Sequence, residues 1–90
     1  MDKAKDAKIF EENGFIESGD IFGRRLESSD KGYAIKIAVF WAGDRYIASV
    51  EDYRIWSNGD EEYLNTYHYS YKSAKRLING LRNNYEFFNF

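Results

Sequence analysis

Residues 33–69 constrain this chain more than any other stretch. Three runs of strand-forming residues are separated there by two glycine-bearing turn signals, "GD" at 43–44 and "SNGD" at 57–60. Runs joined by turns this short can pair only as antiparallel neighbours, because a parallel connection needs a crossover of a dozen or more residues. The first run, "YAIKIAVFWA" (33–42), puts Tyr33, Ile35, Ile37, Val39 and Trp41 on one face and Ala34, Lys36, Ala38 and Phe40 on the other. One face is almost wholly apolar and the second partly so, which predicts a central place in the sheet. The second run, "RYIASVEDYRIW" (45–56), has Tyr46, Ala48 and Val50 on one side. Its far end breaks the alternation, which predicts a bulge or bend near Asp52. The third, "EEYLNTYHY" (61–69), puts Tyr63, Tyr67 and Tyr69 on one face and Leu64, Thr66 and His68 on the other. Leu64 is the one strong apolar residue of its set, so the tyrosines are expected to face inward, with their hydroxyls at the edge of the core.

The flanks complete the pattern. "DIFGRRLES" upstream is expected to be a strand weakened by Gly23, turning into the next through "SDKG" (29–32). Asp2 can cap a helix over Lys3–Asn13, with Ala4, Ala7, Ile9 and Phe10 as its apolar side. "ENGF" ends that helix, with Gly14 in the left-handed position and Phe15 as the apolar contact after it. Ser70 or Ser73 opens a second helix, whose stripe of Ala74, Leu77, Ile78, Leu81 and Tyr85 lies opposite Lys72, Lys75, Arg76, Asn79 and Arg82. The expected fold is one α+β domain over residues 1–90, a four-stranded antiparallel β-meander flanked by an N-terminal and a C-terminal helix (α-β-β-β-β-α), both packed on one face. The closing "YEFFNF" is expected to tuck under the sheet; left exposed, it would predict a homodimer or a docking site.

Composition narrows the function classes. With no cysteine, disulfides and cysteine-based zinc sites are excluded and a reducing compartment is expected. No apolar run follows Met1 and none approaches a bilayer span, so the sequence predicts a cytoplasmic protein with no membrane partner. Catalytic motifs are missing. His68 is the only histidine and has no nucleophile motif to serve. The carboxylates of "DEE" (60–62), with Glu51 and Asp52, lack a metal-ligand spacing. No cofactor, no metal and no enzymatic activity are expected. The charge is divided: residues 1–62 hold fourteen acids against nine basic residues, whereas residues 63–90 hold one acid and four basic residues. Two differently charged surfaces are therefore expected.

Each half suggests a partner. Glu51, Asp52, Tyr53, Trp56, Asp60, Glu61 and Glu62 place acids beside aromatics around one hairpin, a composition suited to a protein with a basic surface. "IAVFWAGDRYIASVEDY" (37–53) resembles the strand–glycine turn–strand core of small phage-encoded anti-CRISPR proteins. That resemblance implies a protein-binding inhibitor of a host nucleic-acid-processing complex, and toxin-immunity proteins share the same description. The basic half gives the alternative. "SYKSAKRL" resembles the start of the last helix in double-stranded-RNA-binding domains, which implies phosphate contacts from Lys72, Lys75 and Arg76.

Overall fold

The computed structural model describes residues 2–90. Asp2 caps helix α1 (Lys3–Glu12) by accepting from the Lys5 amide at 3.1 Å. The helix closes in a Schellman motif: the Gly14 N–H bonds to the Glu11 carbonyl and the Phe15 N–H to the Phe10 carbonyl, with Gly14 at φ +82°. That closure buries Phe15 edge-on against Phe10, 5.7 Å between ring centres. Five strands follow: β1 (Ile16–Ser18), β2 (Ile21–Glu27), β3 (Tyr33–Trp41), β4 (Tyr46–Ile55) and β5 (Glu61–Tyr71). They form one antiparallel sheet in chain order. Helix α2 (Ala74–Asn84) and a 3₁₀ turn (Glu86–Phe88) complete the chain.

The α+β class, the antiparallel meander and the two terminal helices are as the sequence predicts; the strand count is five rather than four. The extra strand is β1. Ser18 pairs with Ile21 across Gly19 and Asp20, and Gly19 sits at φ +62°, so a two-residue hairpin lies where the sequence suggested only the start of β2. The two turn signals behave as expected. Gly43 (φ +95°) and Asp44 close β3 onto β4 with an Ala42 N–H to Arg45 carbonyl bond. Gly59 (φ +89°) follows a turn closed by its own N–H on the Trp56 carbonyl, and the Trp56 N–H bonds to the Asp60 carbonyl. At 29–32 the left-handed residue is Lys31 (φ 60°), not Gly32, and the Asp30 carboxylate holds the turn by accepting from Ser28 Oγ and the Gly32 amide.

The core lies between one face of the sheet and both helices. Ile35, Ile37 and Val39 of β3 and Tyr46, Ala48 and Val50 of β4 meet Phe10 of α1 and Ala74, Leu77, Ile78 and Leu81 of α2. The α2 stripe is therefore the one its spacing predicts, and Ser73 is the cap, accepting from the Arg76 amide. The helix rides close on β5: a Cβ added at Gly80 would stand 2.5 Å from the Tyr71 ring. The two helices run side by side in the same direction. Arg82 near the end of α2 donates to the Asn13 side chain at the end of α1, while residues 72–75 line one hollow with Asp2 and Lys5 at the opposite end. The C-terminal segment folds back, with Phe88 and Phe90 packed on the core and Phe87 left 60% exposed.

The expected irregularity near Asp52 is present as a register shift between Asp52 and Tyr53, but the extra residue is Leu64 on β5. This corrects the expected facing of the tyrosines. Tyr67 and Tyr69 point to the helix side, and the inserted residue turns Tyr63 to the opposite face, opposite Tyr53. Tyr69 meets the expectation of a hydroxyl at the core's edge, sharing a 2.8 Å hydrogen bond with Tyr85. The Tyr85 phenol is pushed well above its usual range by burial first and then by that bond.

Candidate functional site

The seven residues singled out from the acidic, aromatic hairpin lie at one end of the sheet, and strand alternation divides them. Glu51, Tyr53 and Glu61 lie on the face without helices. Asp52 lies on the helix side, where burial raises its carboxyl above the usual carboxylate range. Trp56 and Glu62 share that second side, the Trp56 indole N–H donating to Glu62 Oε1 at 3.2 Å. Asp60 sits in the turn, tied to Asn58 in both directions. Basic side chains interleave with the acids. Arg54 stacks 4.2 Å from the Trp56 ring centre, and Lys36 stands 4.4 Å over Tyr53. Arg25 of β2 reaches Glu61 of β5 at 2.5 Å, across two intervening strands. Three strand spacings span roughly 14 Å in a flat sheet, and Arg25 stands level with Glu51 of β4 while Glu61 stands level with Ile55, so the contact requires the sheet to curl toward its helix-free face. Ala34, on that same face, is fully buried beneath the curl. The hairpin thus carries its acids in two separated sets, one of them already paired with a cation.

A second convergence of acids and aromatics lies at the other end of the sheet, drawn from four separate segments. The first turns of α1 supply Lys3, Asp6 and Ala7; the β1–β2 hairpin supplies Glu17, Asp20, Ile21 and Phe22; β3 ends there with Phe40 and Trp41; β4 begins there with Tyr46. Together they enclose a cleft of about 590 Å³. Trp41 and Tyr46 form one wall, edge to face at 4.8 Å between ring centres. The Tyr46 hydroxyl donates to Asp6 Oδ2 at 2.5 Å. Burial, then this bond and the Asp6 charge, pushes the Tyr46 phenol far above its ordinary value. Tyr46 therefore stays a donor, and the bond fixes the Asp6 carboxylate in place at the cleft. Among the described residues the cleft sets three carboxylates against one lysine around aromatic rings, which suits an extended positively charged side chain: the rings accept its methylenes and its charge, and the acids pair with its tip. None of Asp6, Glu17, Asp20, Phe40, Trp41 or Tyr46 stands out in sequence as a site, because they lie in separate runs across 41 residues.

The alternative set, Lys72, Lys75 and Arg76, is exposed at the start of α2. Lys72 and Lys75 line a smaller hollow of about 350 Å³ together with Lys5 from α1. Asp2 and Asp6 line it too, and Asp44 lies close enough to Lys72 for its carboxyl to be lowered, by Arg45 chiefly and by Lys72 in part. The basic group is therefore interleaved with acids rather than continuous. His68 stands exposed on the helix-free face opposite Ser49. Among the described residues no group of three or more His, Asp or Glu side chains could hold a metal ion, and no helix is long and apolar enough to cross a membrane. Comparisons with protein-family models, with curated proteins and with solved structures give no match.

Proposed function

We propose that this chain is a non-enzymatic protein-binding module that receives a basic segment of a partner protein. The observation that carries the reading is the cleft between α1 and the β1–β2 hairpin, where Asp6, Glu17 and Asp20 surround Phe22, Phe40, Trp41 and Tyr46. A partner's arginine or lysine would lay its stem on the rings and its charge among the carboxylates. The acidic, aromatic hairpin of Glu51, Asp52, Tyr53, Trp56, Asp60, Glu61 and Glu62 would add attraction at a distance. The specific form of an inhibitor, blocking a nucleic-acid-processing complex in the manner of anti-CRISPR proteins, is supported by the resemblance of residues 37–53. Immunity to a basic toxin is the same chemistry with another target.

Trp41 gives the test its signal. With Trp56→Phe as background, the remaining indole reports on the cleft alone. Titration with an arginine-rich peptide should shift its emission, and an acidic peptide of equal length should not. Glu17→Lys with Asp20→Lys should weaken binding at least tenfold, about 1.4 kcal/mol. Asp60→Lys with Glu62→Lys should slow association and leave the plateau signal unchanged. An unchanged affinity in the Glu17/Asp20 pair would remove the cleft from the reading.

A second reading, nucleic-acid binding, is favoured by the meeting of Lys5, Lys72 and Lys75 at the N-terminal ends of two parallel helices. It requires affinity for duplex RNA that falls steeply with salt and is lost in Lys72→Glu/Lys75→Glu.

A further inference from the structure

The sheet has two edges, and they are defended unequally. At the first, β1 is three residues long. At the other, β5 runs for eleven residues, and residues 63–71 within it include no proline and no Lys, Arg, Asp or Glu. Natural sheets shield long edges with charges, prolines, bulges or brevity. β5 has one bulge, at Leu64, with the acids Glu61 and Glu62 beyond it and Lys72 just past its other end.

The backbone phase of this edge follows from the turns. The Ala42 N–H bonds to the Arg45 carbonyl and the Ile55 N–H to the Gly32 carbonyl, so the odd-numbered residues of β4 bond to β3. Its even-numbered residues, Tyr46 to Asp52, then bond to their partners Tyr71, Tyr69, Tyr67 and Asn65. Thr66, His68 and Ser70 are left with their N–H and C=O groups directed away from the sheet. Among the described residues nothing bonds to these N–H and C=O groups; the bonds at Thr66 and Ser70 involve their hydroxyls, with Tyr63 and Arg45.

We propose that this edge pairs with the same edge of a second copy, making one continuous ten-stranded sheet about a two-fold axis at Tyr67. An antiparallel strand is self-complementary in this way. In this register Tyr67 faces its own copy, Thr66 meets His68 in the bonded positions, and Asn65 meets Tyr69. The same register leaves the Glu61–Glu62 end of each copy beside Lys72 of the other, so the only charges flanking the edge oppose one another in sign. A parallel arrangement would put like beside like. The cleft, at the β1–β2 side, stays open on both outer flanks, so the dimer stands or falls independently of the proposed partner.

Mass measured by light scattering and sedimentation over roughly 1 µM to 1 mM should rise from one chain toward two. His68→Pro is the sharpest variant, since the amide it removes points away from β4 and an edge strand tolerates proline there. It should keep the native circular dichroism spectrum and stay a single chain throughout the range. If that variant misfolds, Thr66→Lys/His68→Lys sets four positive charges across the two-fold and should give the same result with the backbone intact. Glu62→Lys should weaken association, and Glu62→Lys/Lys72→Glu should restore it. A single-chain mass for the unaltered protein at all concentrations overturns the proposal. So does a dimer that survives either edge variant, which would place the interface elsewhere, or a charge swap that fails to restore pairing.

Discussion

β4 and β5 run the length of the molecule, yet their two ends are held by different chemistry. From Tyr46 to Val50 and from Tyr69 to Tyr71 they lie beneath the helices, where Ala48 and Val50 are fully buried and Tyr46 nearly so. From Tyr53 to Glu62 the helices no longer cover them. That end is held by pairwise surface contacts: Arg54 on Trp56, Lys36 on Tyr53, Tyr53 against Tyr63, and Arg25 with Glu61. Burial of a large side chain is worth a few kcal/mol, whereas an exposed pair is worth about 0.2–1 kcal/mol. The difference is one of cooperativity as well as size. The covered end forms and melts with the whole domain, and the bare end can open by itself.

The largest test of that contrast is Leu77→Ala. Leu77 is fully buried in the cluster formed by α2, β3 and β4. Its truncation should cost about 2–5 kcal/mol, seen as a lower midpoint in urea unfolding with little change in slope. Since small domains hold only about 5–15 kcal/mol in total, this one change should take a large share. A loss below about 1 kcal/mol would mean that the covered end does not carry the fold.

Arg25→Ala tests the other end with a smaller effect. The Arg25–Glu61 pair bridges β2 and β5 but is exposed, so global stability should fall by less than about 1 kcal/mol. Hydrogen exchange should nevertheless separate the ends. Amides near Glu62 should exchange faster, and those of Tyr67, Tyr69 and Tyr71 at their previous rate. Equal acceleration along all of β5 would show that the strand opens as one unit and that the two ends are not distinct.

How far the sequence foretold this division depends on the range of each signal. Local signals were legible: the Asp2 cap, a second cap at Ser70 or Ser73 (Ser73 in the structure), the Gly14 closure, the Gly43 and Gly59 turns, and the stripe of Ala74, Leu77, Ile78 and Leu81. Each is settled by residues a few positions apart. β1 was missed because three residues carry too little periodicity to register beside Gly19 and Asp20. The facing of Tyr63 was missed because a single inserted residue inverts a period of two, and Leu64 is unmarked by glycine or proline. The acids of the hairpin are adjacent in sequence and apart in space, since alternation sends Glu51 and Asp52 to opposite faces. The cleft is the converse case. Asp6 and Tyr46 lie forty positions apart and share a hydrogen bond that no spacing rule foretells.

Asp52 stands on the boundary between the two ends and gives the smallest and most discriminating prediction. It lies on the helix side, one step beyond the core residue Val50 and near Tyr85, whose hydroxyl is bonded to Tyr69. Burial raises its folded-state carboxyl above the usual value. The sign follows from linkage: a carboxyl raised on folding binds its proton more tightly in the folded state, so its contribution is fully present below the unfolded value and is lost as pH rises through the raised one. At neutral pH the ionised Asp52 therefore disfavours folding. Asp52→Asn removes that charge, so stability at pH 7 should rise, by well under about 1 kcal/mol because the carboxylate keeps much of its solvent. At a pH below the ordinary carboxylate range the two proteins should be equally stable. Urea midpoints measured from acid to neutral pH should diverge through the interval just above that range and then run parallel. If the curves stay superimposed throughout, Asp52 is as wet as the rest of the hairpin, and the covered end of the sheet stops at Val50.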